Sequence, residues 1–138
     1  MAALTAQRNT RQMLDIVRSP LAFGVKGATT IFKGSLVALN AGYAAPGATA
    51  AGLLVVGRAK TTVINAGADG AVTIEVDEGI YKWDNAGGDL VVAADVGGLC
   101  YITDDHTVNH TATAKSIAGR VMQIDTDGVW VKSNVGIG

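Results

Sequence analysis

The residues in this chain best suited to chemistry cluster near position 106. His106 and His110 lie beside Asp104 and Asp105, and imidazole with carboxylate is a donor set that suits zinc, nickel or manganese. A spacing of four aligns two ligands on a helix, but Thr107-Val108-Asn109 between them favours a loop or strand. The expectation is therefore a solvated turn, open to a partner, with no metal or cofactor bound. Asp125-Thr126-Asp127-Gly128 begins like a calcium loop. The later oxygen ligand and the closing glutamate of that loop are missing, and Asp and Gly are what a tight hairpin turn needs.

Nucleophilic catalysis requires a serine or cysteine within reach of an oriented base. Ser19, Ser35, Ser116 and Ser133 stand in no Gly-x-Ser-x-Gly elbow. Cys100, the single cysteine, sits between Leu99 and Tyr101 and reads as a small buried hydrophobe. One cysteine excludes an intrachain disulfide and any multi-cysteine metal site. The glycines at 67, 70, 87, 88, 97 and 98 are not followed by a helix or by Gly-Lys-Ser/Thr, so they read as turn glycines and not as phosphate cradles. Glu75 and Glu78 are the only glutamates, and Glu75 falls on the polar face of its strand. No enzyme class is supported. Trp83 and Trp130 are the large rings best able to anchor something, either by core packing at a sheet edge or at a subunit interface.

Composition sets the frame for these residues. The 138 residues are 49% hydrophobic but only 5% aromatic, so a core must be built from Val, Ile, Leu and Ala. No apolar run nears the roughly 18 residues of a membrane span, and no signal peptide is visible. The reading is a soluble protein made in the cytoplasm, with no membrane partner. The net charge of −1 hides an asymmetry: residues 1–33 hold Arg8, Arg11, Arg18, Lys26 and Lys33 against Asp15, so the rest carries −5. A basic arm on an acidic body is drawn to acidic surfaces. Without interleaved aromatics, direct binding of nucleic acid is not expected.

The elements follow from texture. Residues 1–18 mix Gln, Arg, Asn and Thr with Leu4, Met13, Leu14, Ile16 and Val17, and the first glycine is Gly24. This segment reads as an extended N-terminal arm that orders on a partner, with Arg8, Arg11, Met13, Leu14, Ile16 and Val17 as its contact residues. Residues 19–138 read as a single, mainly β domain, a small barrel or sandwich, because short Val/Ile/Thr-rich runs recur between Gly, Asn and Asp at intervals of about ten.

Within that domain, residues 29–32 and 35–39 read as strand segments joined by a tight turn or bulge at Lys33-Gly34, and 43–51 as an exposed loop. Residues 53–59, apolar on both faces at the start, should be central, with 60–64 extending the strand. Val72, Ile74 and Val76 alternate with Thr73, Glu75 and Asp77 in the cleanest strand. Residues 80–83 and 98–103 add strands, and 120–132 close the chain as a hairpin. No internal repeat is evident.

Val55-Val56-Gly57-Arg58-Ala59, Ala71 to Val76 leading to Gly79-Ile80-Tyr81, Gly98 to Asp105, and Ala118-Gly119-Arg120-Val121 through Asp127 to Val131 together resemble a known group. They are similar to the capsid cement or decoration proteins of tailed, Mu-like bacteriophages over roughly residues 20–132. That resemblance implies a small barrel-like or "tulip" domain on the outer surface of a virion capsid. It would clamp neighbouring major capsid protein subunits, often as a homotrimer. A carbohydrate-binding or host-adhesion module on a phage surface is the alternative.

Overall fold

A computed structural model describes Ala6 and residues 21–133. The expected arm, with Arg8, Arg11, Met13, Leu14, Ile16 and Val17, lies outside the described residues, as does the boundary at residue 18. The described chain is mainly β, with one 3-10 turn at Ala93–Asp95 and no α-helix. The twelve strands are β1 (Leu21–Gly24), β2 (Thr29–Ile31), β3 (Leu36–Asn40), β4 (Tyr43–Pro46), β5 (Leu54–Ala59), β6 (Val63–Asn65), β7 (Thr73–Asp77), β8 (Gly79–Asn85), β9 (Leu99–Ile102), β10 (Thr107–Asn109), β11 (Ile117–Asp125) and β12 (Gly128–Ser133).

They form a five-stranded sheet in the order β1-β7-β5-β3-β4, a closed barrel β10-β8-β12-β11-β9, and a two-stranded ribbon β2-β6. The expected barrel is thus present. β5 is central, as its two apolar faces predict: Val55 and Val56 are both buried, one in each of the molecule's two apolar clusters. β7 alternates as its sequence does, with Ile74 and Val76 buried between exposed Thr73 and Glu75. The terminal hairpin forms around Thr126-Asp127.

Three local expectations are corrected. β2 and β3 do not pair with each other: β2 pairs with β6, while β3 lies between β4 and β5. Residues 60–62 do not extend β5 but break it, freeing β6 to meet β2. Tyr43–Pro46 is a strand, not a loop, because its alanines run along β3 and Pro46, which has no N–H to give, comes at the strand's end.

The fourth correction is larger, because the chain repeats itself. Residues 21–78 and 79–133 each supply five strands in one topology: β1-β7-β5-β3-β4 in the first unit matches β8-β12-β11-β9-β10 in the second. The registers agree as well. Leu36, Val37 and Ala38 face Arg58, Gly57 and Val55 across a bulge; Leu99, Cys100 and Tyr101 face Arg120, Gly119 and Ile117 across another. Phe23 faces Ile74 as Trp83 faces Val129.

The turn bonds recur too. Gly34 N donates to Ala59 O at 3.0 Å and Gly97 N to Val121 O at 2.8 Å. Both bulges need glycine: a Cβ at Gly57 (φ +144°) would stand 2.3 Å from Asp77 O, and one at Gly119 (φ +156°) 2.3 Å from Lys132 O. The first unit has its own core of Val25, Ile31, Val37, Ala44, Val56, Ala59, Ile74 and Val76. The second cluster combines the interior of the closed barrel with Leu36, Ala38 and Val55 from the outer face of the first unit.

Candidate functional site

β9 and β10 are joined by a turn that brings Asp104, Asp105 and His106 together. His106 Nδ1 lies 2.9 Å from Asp105 Oδ1 and 3.1 Å from Asp104 Oδ1, and His106 N donates to Asp104 Oδ1 at 3.0 Å. Among the described residues this is the one group whose ligand atoms converge enough for a metal ion, but each carboxylate already has a partner in the turn. The hydrogen bond from the imidazole to Asp105, aided by the charges of Asp104 and Asp84, holds the imidazole pKa above its ordinary value. The turn also reaches the first unit: Leu36 N donates to Asp105 O at 2.7 Å, and Thr49 Oγ1 to Thr103 O at 2.7 Å.

His110 does not join this group. It lies beyond β10, where its Nδ1 meets Asp95 Oδ2 at 2.9 Å. That contact raises the His110 pKa, and Asp95 is held low chiefly by the Val92 N–H. Neighbouring Asp89 accepts from Asn109 Nδ2 and from Thr111 N, each at 2.8 Å. These bonds hold its carboxyl below the usual range. The network anchors residues 89–95 to β10 and was not legible in the sequence, because its members are far apart in the chain. Among the described residues no serine, threonine or cysteine side chain hydrogen-bonds to either imidazole.

Cys100 is fully buried inside the barrel, and desolvation pushes its thiol up to about 12. A thiol so placed stays protonated and inert. The Asp125–Gly128 segment is a hairpin turn whose carboxylates are engaged by side chains. Trp130 Nε1 donates to Asp125 Oδ2 at 2.6 Å, Gln123 Nε2 donates to Asp125 Oδ1 at 3.0 Å, and Lys82 Nζ meets Asp127 Oδ1 at 2.7 Å. The Trp130 bond is the main reason Asp125 is held below its ordinary pKa.

The two tryptophans differ in burial. Trp83 is buried in the closed barrel, edge-on to Tyr81 at 6.2 Å, and its Nε1 has no hydrogen-bond acceptor among the described residues. Trp130 lies half-buried on the outside, with Lys82 Nζ 5.6 Å from its ring centre. Beside it exposed Ile80 and Met122 border a shallow hollow of about 480 Å³. Arg58 stacks 4.2 Å over the Tyr81 ring, joining the two units.

The described surface carries several features suited to contacts. It offers the Trp130 hollow, exposed Phe32 and Ile64 on or beside the β2-β6 ribbon, and the acidic turn at 104–106. No family model, no curated protein and no solved structure matches the chain.

Proposed function

We propose that this chain is a structural protein of a phage virion, binding the outside of the capsid and bracing contacts between major capsid protein subunits. The observation that carries the reading is the ordered set of tracts from Val55 to Val131 that resembles capsid cement proteins of Mu-like phages. A β body whose strands are locked by bulges and side-chain staples supports it, since a brace must resist deformation. A partner that binds only the assembled shell stabilises that shell by mass action.

In this reading the protein is made in the bacterial cytoplasm and ends on the outer surface of the virion as a homotrimer. Residues 1–18 order on docking: Arg8 and Arg11 pair with acidic groups, and Met13, Leu14, Ile16 and Val17 bury against the shell. Expanded, undecorated shells mixed with purified protein are expected to co-sediment with it and to gain heat resistance. Bare shells with unchanged heat resistance would defeat the reading.

Surface adhesion to host glycans is the second reading, favoured by Trp130, whose half-buried ring sits beside an open hollow. Glycan-array binding that is lost in Trp130→Ala, with shell binding intact, would establish it over the first.

A further inference from the structure

The repeat has a consequence at the faces the two units do not share. Within the chain, the outer face of β3 and β5 in the first unit, Leu36, Ala38 and Val55, is covered and joins the core of the second unit's barrel. The bury is direct: an atom added at Gly47 of the first unit would meet Leu36 and also Ile102 of the second at 3.0 Å or less. Polar links frame this seam. Besides the Asp105 and Thr103 contacts, Ser116 Oγ donates to Ala50 O at 2.6 Å and accepts from Leu53 N at 2.9 Å.

The seam is heterologous, since the two units use different faces to make it, so each unit keeps an unused copy of the other's face. By register, Leu99, Tyr101 and Ile117 are the second unit's counterparts of Leu36, Ala38 and Val55. They lie together on one outer face of β9 and β11 and are only half-buried. Phe23 and Leu39 are the counterparts of Trp83 and Ile102. Trp83 and Ile102 are buried, at 4% and 0% exposure, whereas Phe23 and Leu39 are only half-buried.

Each apolar face that is covered at the seam therefore has a less covered equivalent at the other end of the chain.

We infer that the occupant of both less covered faces is a second copy of this chain: the Leu99–Tyr101–Ile117 face of one copy docks on the Phe23–Leu39 end of the next, repeating the seam head to tail. The occupant's shape is already present in the chain, because the covered face of the first unit shows what such an end accepts. A heterologous contact of this kind propagates until it closes as a ring or runs on as a filament. The inference does not depend on the capsid reading, and its test uses the protein alone.

Ile117→Arg places a charge on the outer face of β11, and Asn40→Trp adds bulk at the turn beside Leu39 without touching the core. Light scattering after size-exclusion is expected to show wild-type protein as a multiple of the chain mass and each variant as a monomer. An equimolar mixture of the variants is expected to stop at a dimer, because each retains one working face. Near-ultraviolet circular dichroism of the tryptophans checks folding, and Tyr101→Lys replaces Ile117→Arg should the latter unfold. A wild-type monomer at every concentration would overturn the inference, as would variants that assemble normally or a mixture that stays monomeric.

Discussion

The two units share strand order and register yet end differently. The second closes through β8 and β10, where Thr107 and Val108 pair in parallel with Asp84 and Asn85. The first curls to the same point but meets in a single parallel bridge, Val25 to Ala44. The bond that survives is the equivalent one, Lys26 N to Ala44 O matching Ala86 N to Val108 O, each at 2.9 Å.

The connections differ as well. The link between β11 and β12 is the two-residue turn Thr126-Asp127, whereas residues 60–72 between β5 and β7 carry β6, which pairs with β2. One topology thus tolerates a closed, plugged barrel and an open one. What decides between them is how many strand residues reach the seam and what covers the end.

Breaking that contrast should cost most where the second unit is plugged. Trp83→Ala empties a buried site and is expected to lose about 4 kcal/mol of stability, while Phe23→Ala at the half-buried equivalent loses about 2 kcal/mol. Urea unfolding of the two variants checks this, and equal losses would remove the distinction. The bulges should instead behave alike. Gly57→Ala and Gly119→Ala each force a Cβ onto a backbone oxygen, so each should cost about 3 kcal/mol, read from the same unfolding midpoints.

Each unit also carries a buried asparagine staple. Asn65 Nδ2 donates to Val25 O and Ala68 O, and Asn109 Nδ2 donates to Asp89 Oδ2 and Thr111 O. Asn109→Ala should cost about 2 kcal/mol and raise amide exchange in residues 89–95 without touching β2 or β6.

The smallest effect belongs to the second unit alone, which holds both histidines. His106 and His110 have folded pKa values raised above about 6.5. Their stabilisation is therefore fully present below that value and is lost as pH rises through the folded pKa. Asp95 runs the other way: its carboxyl is held low, so its contribution is lost only as pH falls through the depressed value. A modest fall in melting temperature between about pH 6 and pH 8 is expected, and it should flatten in the His106→Gln, His110→Gln double variant.

The sequence made a strand legible where apolar and polar residues alternate cleanly, as at Ile74 and Val76 in β7, and it made β5 legible as central from its doubly apolar start. It also pointed correctly to a buried Cys100 and to a hairpin turn at Asp125–Gly128. The repeat is hard to read in the sequence because few of the equivalent residues are identical: besides the core pair Val76 and Val131, they are Gly34 and Gly97, Leu36 and Leu99, Gly57-Arg58 and Gly119-Arg120. The glycines and arginines of that set stand where a turn or a bulge restricts the choice. Elsewhere equivalent core sites exchange Val for Cys or Phe for Trp, which preserves burial but hides the match. The β2-β6 pairing was illegible for another reason: two three-residue strands, far apart in the chain, carry no pattern that names their partner.

The central functional claim is attachment to a shell, and image reconstruction of expanded capsids incubated with the protein tests it most directly. The account predicts density for this chain on the outer surface, bridging neighbouring capsid subunits. Shells that remain bare in the reconstruction would contradict it.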